Sequence, residues 1–197
     1  MLKLLIIRTG ATEYEAQGRV QGTLDIPLSE DGRQQIEQVA EALRAELLLK
    51  GKIDACYAGP CLATQQSAEI LATQLKLKPK TLDDLRNLDH GLWQGMLIND
   101  IKVKQPKVYR QWQDHPETVC PPEGESLQVV RDRLQRMLTK ITKKQKSGTT
   151  AIIVAEPVLS LLKNALRDDA LGNLWETEDG PETAWELIEV PSAVASP

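Results

Sequence analysis

The sequence predicts an α/β fold of three layers (α/β/α), with helices on both faces of a mostly parallel central sheet. Three short, largely apolar runs at 2–7, 53–57 and 151–155 have the length and composition of buried strands. Each run is followed by a segment in which apolar residues recur at helical spacing. Strands that alternate with helices are typical of parallel sheets covered on both sides.

The composition indicates an ordinary globular chain. Of its 197 residues, 41% are hydrophobic and 26% are charged. We expect residues 1–190 to form a single domain and the tail 191–197 to be disordered. The net charge of −4 argues against nucleic acid or an anionic membrane as a partner, because either would require a clustered basic face.

The cysteines indicate a reducing compartment. Cys56, Cys61 and Cys120 have no metal-ligand spacing, and three thiols cannot all pair. No apolar run approaches the length that spans a membrane, and the first run is too short for a signal peptide. We therefore expect a cytoplasmic protein without a resident metal or cofactor.

The first helix is predicted to begin after Ser29, whose hydroxyl is a good N-cap, with Glu30 and Asp31 in the first turn. Its end is predicted at Gly51. The residues that share its apolar face are Ile36, Val39, Ala40, Leu43 and Leu47.

The second predicted strand, 53–57, leads through a turn at 58–60 into a helix with Ala68, Leu71 and Leu75 on its inner face. An extended piece follows at 82–88. The glycine-bracketed segment 89–95 predicts a loop, and 99–114 predicts one or two short helices.

The second half of the chain begins with a loop at 121–126 that opens a strongly amphipathic helix, ending near Lys144. The third strand, 151–155, is followed by a helix that starts at Pro157 and runs to about Arg167. Residues 171–181 have an irregular pattern, whereas 185–190 alternates like a final edge strand. The apolar face of the amphipathic helix consists of Leu127, Val130, Leu134, Met137, Leu138 and Ile141.

Five short motifs occur in a fixed order along the chain. They are Arg8-Thr9-Gly10-Ala11-Thr12, Ala58-Gly59-Pro60 with Gln66-Ser67-Ala68, Leu88 to Gly95, Gly124-Glu125-Ser126-Leu127, and Ala151 to Pro157. The series resembles the histidine phosphatase superfamily, the phosphoglycerate mutase-like proteins. That resemblance implies the three-layer fold and a site at the carboxyl ends of the strands.

The chemistry that the resemblance implies is phosphoryl transfer through a phosphohistidine, and its parts are altered here. Arg8 matches the first arginine of the phosphate cage, but Thr9 stands where the family has its nucleophilic histidine. A hydroxyl needs a base to activate it. Glu15 stands in place of an asparagine that donates to phosphate, and a carboxylate can only accept. Arg19 matches a residue of the loop that borders the substrate.

Three further positions depart from the family pattern. Ala63 stands where the second cage arginine is expected, Asn87 replaces the acid, and Glu156 occupies the place of the second histidine. No catalytic set is intact in this interpretation. One cation set against two carboxylates would repel phosphate, so we expect Arg8 to pair with Glu156 or Glu15.

These substitutions favour a pseudoenzyme, that is, a catalytically degenerate member with a non-enzymatic binding or regulatory role. Its partner would be another protein or a second copy of the chain. The alternative is a phosphomonoester hydrolase or mutase with rebuilt chemistry in the same pocket. Thr9 would then act with Glu156 as base, or Glu15, Glu156 and Asp89 would gather a divalent metal.

The two histidines of the chain, His90 and His115, are interpreted as loop or surface residues. A residual phosphatase that uses His90 is the third hypothesis.

Overall fold

The computed structural model describes residues 1–167 and 184–190, and it gives no side chains for 47–50. The predicted irregular segment 171–181 and the predicted tail 191–197 lie outside the described residues. The strands are β1 (Leu2–Arg8), β2 (Ala55–Ala58), β3 (Lys80–Thr81), β4 (Gly148–Val154) and β5 (Trp185–Glu189). The helices are α1 (Glu13–Ala16), α2 (Glu30–Lys50), α3 (Leu62–Leu75), α4 (Ile98–Lys104), α5 (Pro106–Asp114), α6 (Leu127–Lys144) and α7 (Val158–Arg167).

The five strands form one sheet in the order β3-β2-β4-β1-β5. β1 and β4 are parallel, with Leu2 opposite Gly148 and Arg8 opposite Val154. β5 runs antiparallel to β1 and is the predicted edge strand. The mostly parallel sheet is therefore confirmed, and the carboxyl ends of β1 and β4 lie side by side.

Both faces of the sheet are covered by helices. Leu4 and Ile6 of β1 belong to the apolar cluster that contains the buried residues of α6 and α7. Leu5 and Ile7 belong to a second cluster, with the buried residues of α2 and α3. Because successive side chains of a strand point to opposite faces, β1 is buried on both sides, which confirms the three layers.

Helix α2 begins and packs as the sequence predicts. Ser29 Oγ accepts a hydrogen bond from the amide of Gly32 at 3.0 Å. The inner face is buried at Ile36, Val39, Ala40 and Leu43. The fifth predicted core residue of this helix lies at 47, where side chains are not described.

Helix α6 also follows the prediction. The hydroxyl of Ser126 accepts a hydrogen bond from the amide of Val129 at 3.4 Å, and all six residues of the predicted apolar face are buried. Two further residues of α6, Arg133 and Thr142, are buried and were not predicted to lie inside. The predicted short helices at 99–114 are α4 and α5.

The prediction of an extended piece over 82–88 is wrong. Only Lys80 and Thr81 pair as a strand, and Asp83–Leu85 forms a 3-10 turn. The side chain of Arg133 donates to the carbonyls of Asp84 at 2.7 Å and Asn87 at 3.2 Å. These carbonyls are thereby satisfied without a neighbouring strand.

None of the described helices combines the length and the apolar character needed to cross a bilayer.

Candidate functional site

Thr9 follows β1 directly and lies at the carboxyl edge of the sheet. Its amide donates to the carbonyl of Val154 at 3.0 Å, and its side chain is buried. The Thr9 hydroxyl lies 2.8 Å from Ser67 Oγ, which also donates to the carbonyl of Ala63 at 2.8 Å. A serine has one hydroxyl proton, and Ser67 gives it to Ala63. Thr9 must therefore be the donor to Ser67, and its proton is committed to that bond.

Arg8 and Glu15 form an ion pair beside Thr9, with Arg8 Nη2 3.6 Å from Glu15 Oε1. The other carboxylate oxygen of Glu15 accepts from the amide of Thr12 at 2.8 Å, and the Thr12 hydroxyl accepts from the amide of Glu15. This reciprocal pair is a capping box at the start of α1. Glu15 therefore serves both the local helix and the guanidinium of Arg8.

Glu156 precedes α7 and turns toward that helix. Its Oε2 accepts from the amide of Ser160 at 3.2 Å and from the Ser160 hydroxyl at 2.8 Å. Among the described residues the ion pair of Arg8 is formed with Glu15, and none joins Arg8 to Glu156. The ion pair expected as one alternative, between Arg8 and Glu156, is therefore not observed, and the amide of Ser160 at the N-terminus of α7 binds that carboxylate instead. Of the two expected partners of Arg8, Glu15 is the observed one.

Ala63 and Asn87 are both buried at this edge of the sheet. Ala63 lies in the first turn of α3, where its carbonyl accepts from Ser67. Asn87 Oδ1 accepts from the amide of Leu88 at 2.9 Å, so the side chain shapes its own loop. Neither residue brings a charge to the site.

Arg19 holds two loops together. Its Nη1 donates to the carbonyl of Gly95 at 2.7 Å and its Nε donates to Gln17 Oε1 at 2.9 Å. The guanidinium carbon also lies 6.0 Å from the centre of the Tyr14 ring. Arg19 thus joins the segment after α1 to the loop at Gly95, and its place beside a substrate stays a prediction.

A buried ion pair behind the site was missed by the sequence reasoning. Arg133 Nη2 donates to Glu125 Oε1 at 2.7 Å, and Glu125 Oε1 also accepts from the amide of Asp89 at 3.1 Å. Arg86 lies 3.6 Å from the other oxygen of Glu125. A signal was present, because Arg133 falls on the apolar face of α6 at helical spacing from Val130 and Met137.

His90 is a loop residue, as expected, but it is not at the surface. Its side chain is buried, with its ring centre 5.7 Å from that of Trp112. Burial lowers the pKa of the imidazole from 6.5 to about 4, because the charged form would lose its hydration. His115 is exposed and lies 3.7 Å from a carboxylate oxygen of Glu117.

Metal binding by Glu15, Glu156 and Asp89 is not supported. In the part of the chain that the structure describes, no three His, Cys, Asp or Glu residues are grouped closely enough to hold a metal ion. Asp89 Oδ1 instead accepts from the amide of Gly91 at 2.8 Å and fixes the loop. The predicted convergence of these carboxylates is wrong.

Arg8 and Thr9 also border a pocket of about 430 Å³ between α2 and the start of β5. Of the seven positions identified from the sequence, these two line it. The other five do not line it, namely Glu15, Arg19, Ala63, Asn87 and Glu156. The pocket therefore adjoins the strand edge that carries Thr9 without coinciding with the site that the resemblance implies.

Comparison with known proteins gives a consistent set of relatives. A family model, Histidine phosphatase superfamily (branch 1), matches residues 4–192. The chain is 31% identical to Phosphoserine phosphatase 1 of Hydrogenobacter thermophilus over 175 residues, covering 89% of this chain and 81% of that protein. It is 30% identical to Phosphoglycerate mutase-like protein 4 of Arabidopsis thaliana over 170 residues, covering 85% and 72%. The solved structure of YhfR from Bacillus stearothermophilus superposes with a TM-score of 0.82 at 26% identity, covering 98% and 93%.

Proposed function

The chain belongs to the histidine phosphatase superfamily, and we propose that it is a catalytically degenerate member with a non-enzymatic binding or regulatory role. In this proposal Thr9 and Glu156 stand at the positions of both catalytic histidines. The proposal also takes 1–190 as one domain and the cytoplasm as its location.

The bond between Thr9 and Ser67 carries this proposal. A hydroxyl becomes a nucleophile when a base removes its proton, and here the proton points to a serine that is already fully engaged. Ser67 Oγ donates once, to Ala63, and accepts from Thr9 and from the amide of Gly10 at 3.2 Å. The carboxylate of Glu156 contacts Ser160 instead. Within residues 1–167 and 184–190, the observed contacts of Thr9 thus offer no base to remove its proton, which supports the proposal.

The charges around Arg8 support the same conclusion. A phosphate site gains its affinity from converging cations and N–H donors. Glu15 already neutralises part of the charge of Arg8, and Ala63 adds no second cation. A phosphate dianion brought to Arg8 would meet the carboxylate of Glu15, which repels it.

The test is phosphatase activity on a panel of phosphomonoesters, including phosphoserine and 3-phosphoglycerate, with and without Mg²⁺ or Mn²⁺. We expect no turnover above background from the parent protein. The double variant Thr9→His, Glu156→His is measured beside it, with circular dichroism to confirm that it folds. Activity in the parent that disappears in Thr9→Ala would overturn the proposal.

A phosphomonoester hydrolase or mutase with rebuilt chemistry at Thr9 and Glu156 is the competing function. The names of the relatives favour it, since one is a phosphoserine phosphatase and another a phosphoglycerate mutase-like protein. The assay above separates the two functions.

For the binding role we propose a protein partner or self-association, without nucleic acid or membrane. Light scattering coupled to size-exclusion chromatography tests self-association directly. A mass that stays at 21.9 kDa across micromolar concentrations would leave a second protein as the partner to seek.

A further inference from the structure

The pocket beside β5 has the size and lining of a small-molecule site. Its volume of about 430 Å³ lies within the range of ~300–1,000 Å³ typical of ligand pockets. One wall is the face of α2 that carries Ile36, Val39 and Ala42, and the other is formed by Ala184 and Trp185 at the start of β5. The half-buried indole of Trp185 offers a flat apolar surface to a planar ligand.

Two side chains that line the pocket, Gln35 and Arg8, have N–H groups from which no described residue accepts a hydrogen bond. Gln35 uses its carbonyl oxygen to accept from the amide of Ala11 at 3.1 Å, and no described residue accepts from its amide nitrogen. Arg8 makes no side-chain hydrogen bond within the described part of the chain, because its ion pair with Glu15, at 3.6 Å, is too long. Gln38 lines the same pocket. A ligand that supplies acceptor oxygens would satisfy these donors.

The charges of Arg8 and Glu15 beside the pocket favour a ligand with a single negative charge. Glu15 offsets part of the positive charge of Arg8, so a monoanion fits the remaining field better than a phosphate dianion does. A carboxylate also matches the planar fork of a guanidinium. We propose that this pocket binds small aromatic monocarboxylates, with the ring between Trp185 and α2 and the carboxylate toward Arg8 and Gln35.

This inference goes beyond the proposed function and stands separately from it. The pocket shares Arg8 and Thr9 with the phosphoryl-transfer interpretation, but the other five positions of that interpretation do not line it. Phosphatase activity in the parent would overturn the proposed function, whereas benzoate binding is measured without any turnover and tests the pocket by itself. Failure to bind an aromatic carboxylate would overturn this inference alone.

The probe is benzoate, titrated into the full ¹⁵N-labelled chain and followed by heteronuclear NMR. The indole N–H signal of Trp185 is assigned by its loss in Trp185→Leu. We expect benzoate to shift that signal with a Kd at least about tenfold below those of acetate, which lacks the ring, and phenyl phosphate, which carries a dianion. The proposal would be overturned if benzoate did not shift the Trp185 signal, or if the three compounds bound with equal Kd values.

Variants locate the binding. Ala42→Phe places a ring in the pocket and should weaken benzoate binding about tenfold, whereas Gln34→Ala, on the same helix but outside the pocket, should leave it unchanged. Arg8→Gln should weaken benzoate binding to a similar extent and leave the binding of the neutral analogue benzamide within about twofold. Binding of benzoate that is as tight in Ala42→Phe as in the parent would contradict the proposal, provided that the thermal unfolding of the variant matches the parent.

Discussion

The guanidinium of Arg133 and the carboxylate of Glu125 form a bidentate ion pair in the interior, with Nη2–Oε1 at 2.7 Å and Nε–Oε2 at 3.4 Å. The Arg133 side chain is 1% exposed and that of Glu125 is 11% exposed. Arg133 also donates from Nη1 to the carbonyl of Asp84 and from Nη2 to the carbonyl of Asn87. Through these contacts Arg133 joins α6 to Glu125 in the loop before that helix and to the loop that contains Asp84 and Asn87.

Removal of one member of this pair should be costly. Glu125→Leu leaves the guanidinium buried without its counter-charge, and we expect a loss of about 3–5 kcal/mol in the free energy of unfolding. Urea denaturation of the parent and the variant measures it. The double variant Glu125→Leu, Arg133→Met should lose much less than the sum of the single changes, because no unpaired charge remains. Additive losses would contradict this account.

Acidification should destabilise the protein through His90. Its pKa is lowered to about 4 in the folded chain from 6.5, so the unfolded chain binds the proton first as the pH falls. The stabilisation by neutral His90 is complete above pH 6.5 and is lost as the pH falls toward 4. The expected total is about 3 kcal/mol. Urea unfolding at intervals from pH 7 to pH 4 should show a shallower loss in His90→Phe, whereas His115→Phe, a change at an exposed histidine, should follow the parent.

The hydroxyl of Thr9 should act as a structural donor. Thr9→Val keeps the shape and removes the bond to Ser67, and we expect a loss of about 1 kcal/mol in unfolding free energy. A double-mutant cycle with Ser67→Ala isolates the pair. A coupling energy near zero would show that the hydrogen bond between the two hydroxyls does not stabilise the protein.

The two contacts of Glu15 should contribute unequally. Glu15→Gln keeps an oxygen for the amide of Thr12 and removes the charge facing Arg8, a pair that is about one-third exposed on each side. Because exposed pairs contribute little, we expect a change below about 0.5 kcal/mol. Glu15→Ala removes the cap as well and should cost about 1 kcal/mol. A larger loss for Glu15→Gln than for Glu15→Ala in thermal unfolding would reverse this assignment.

The three layers of this fold could be predicted because buried strands and helices each have a characteristic spacing of apolar residues along the chain. The run 2–7 is apolar at every position but one, and β1 is buried on both faces. The helices α2 and α6 repeat apolar residues at the spacing that faces a sheet. Periodicity of this kind reports how a segment meets the core, and it does not require knowledge of any particular neighbour.

The errors arose where a distant neighbour decides the local structure. Residues 82–88 turn because Arg133, about fifty positions away in the chain, holds their carbonyls. Glu156 is the exception, because its partner Ser160 lies only four positions away, in the first turn of α7. His90 is buried because Trp112 packs against it. The sequence predicted that Arg8 and Thr9 lie at the end of the first strand, and they do. The partners of Arg133 and His90 could not be predicted, because these contacts join residues far apart in the chain and no local pattern contains them.

The hydrogen bond from Arg133 to the carbonyl of Asn87 has a consequence for how this edge of the sheet can change. The loop is held at this point by two contacts, the bond from Arg133 to the backbone carbonyl of Asn87 and the bond from the amide of Leu88 to the Asn87 side chain, and the first of these does not involve the side chain at position 87. Because every residue has a backbone carbonyl, the contact from Arg133 can be made whatever side chain stands at position 87. Substitution of the side chain at position 87 therefore keeps this contact. The chemical group presented at this edge of the sheet can change during evolution while Arg133 continues to hold the backbone of the loop.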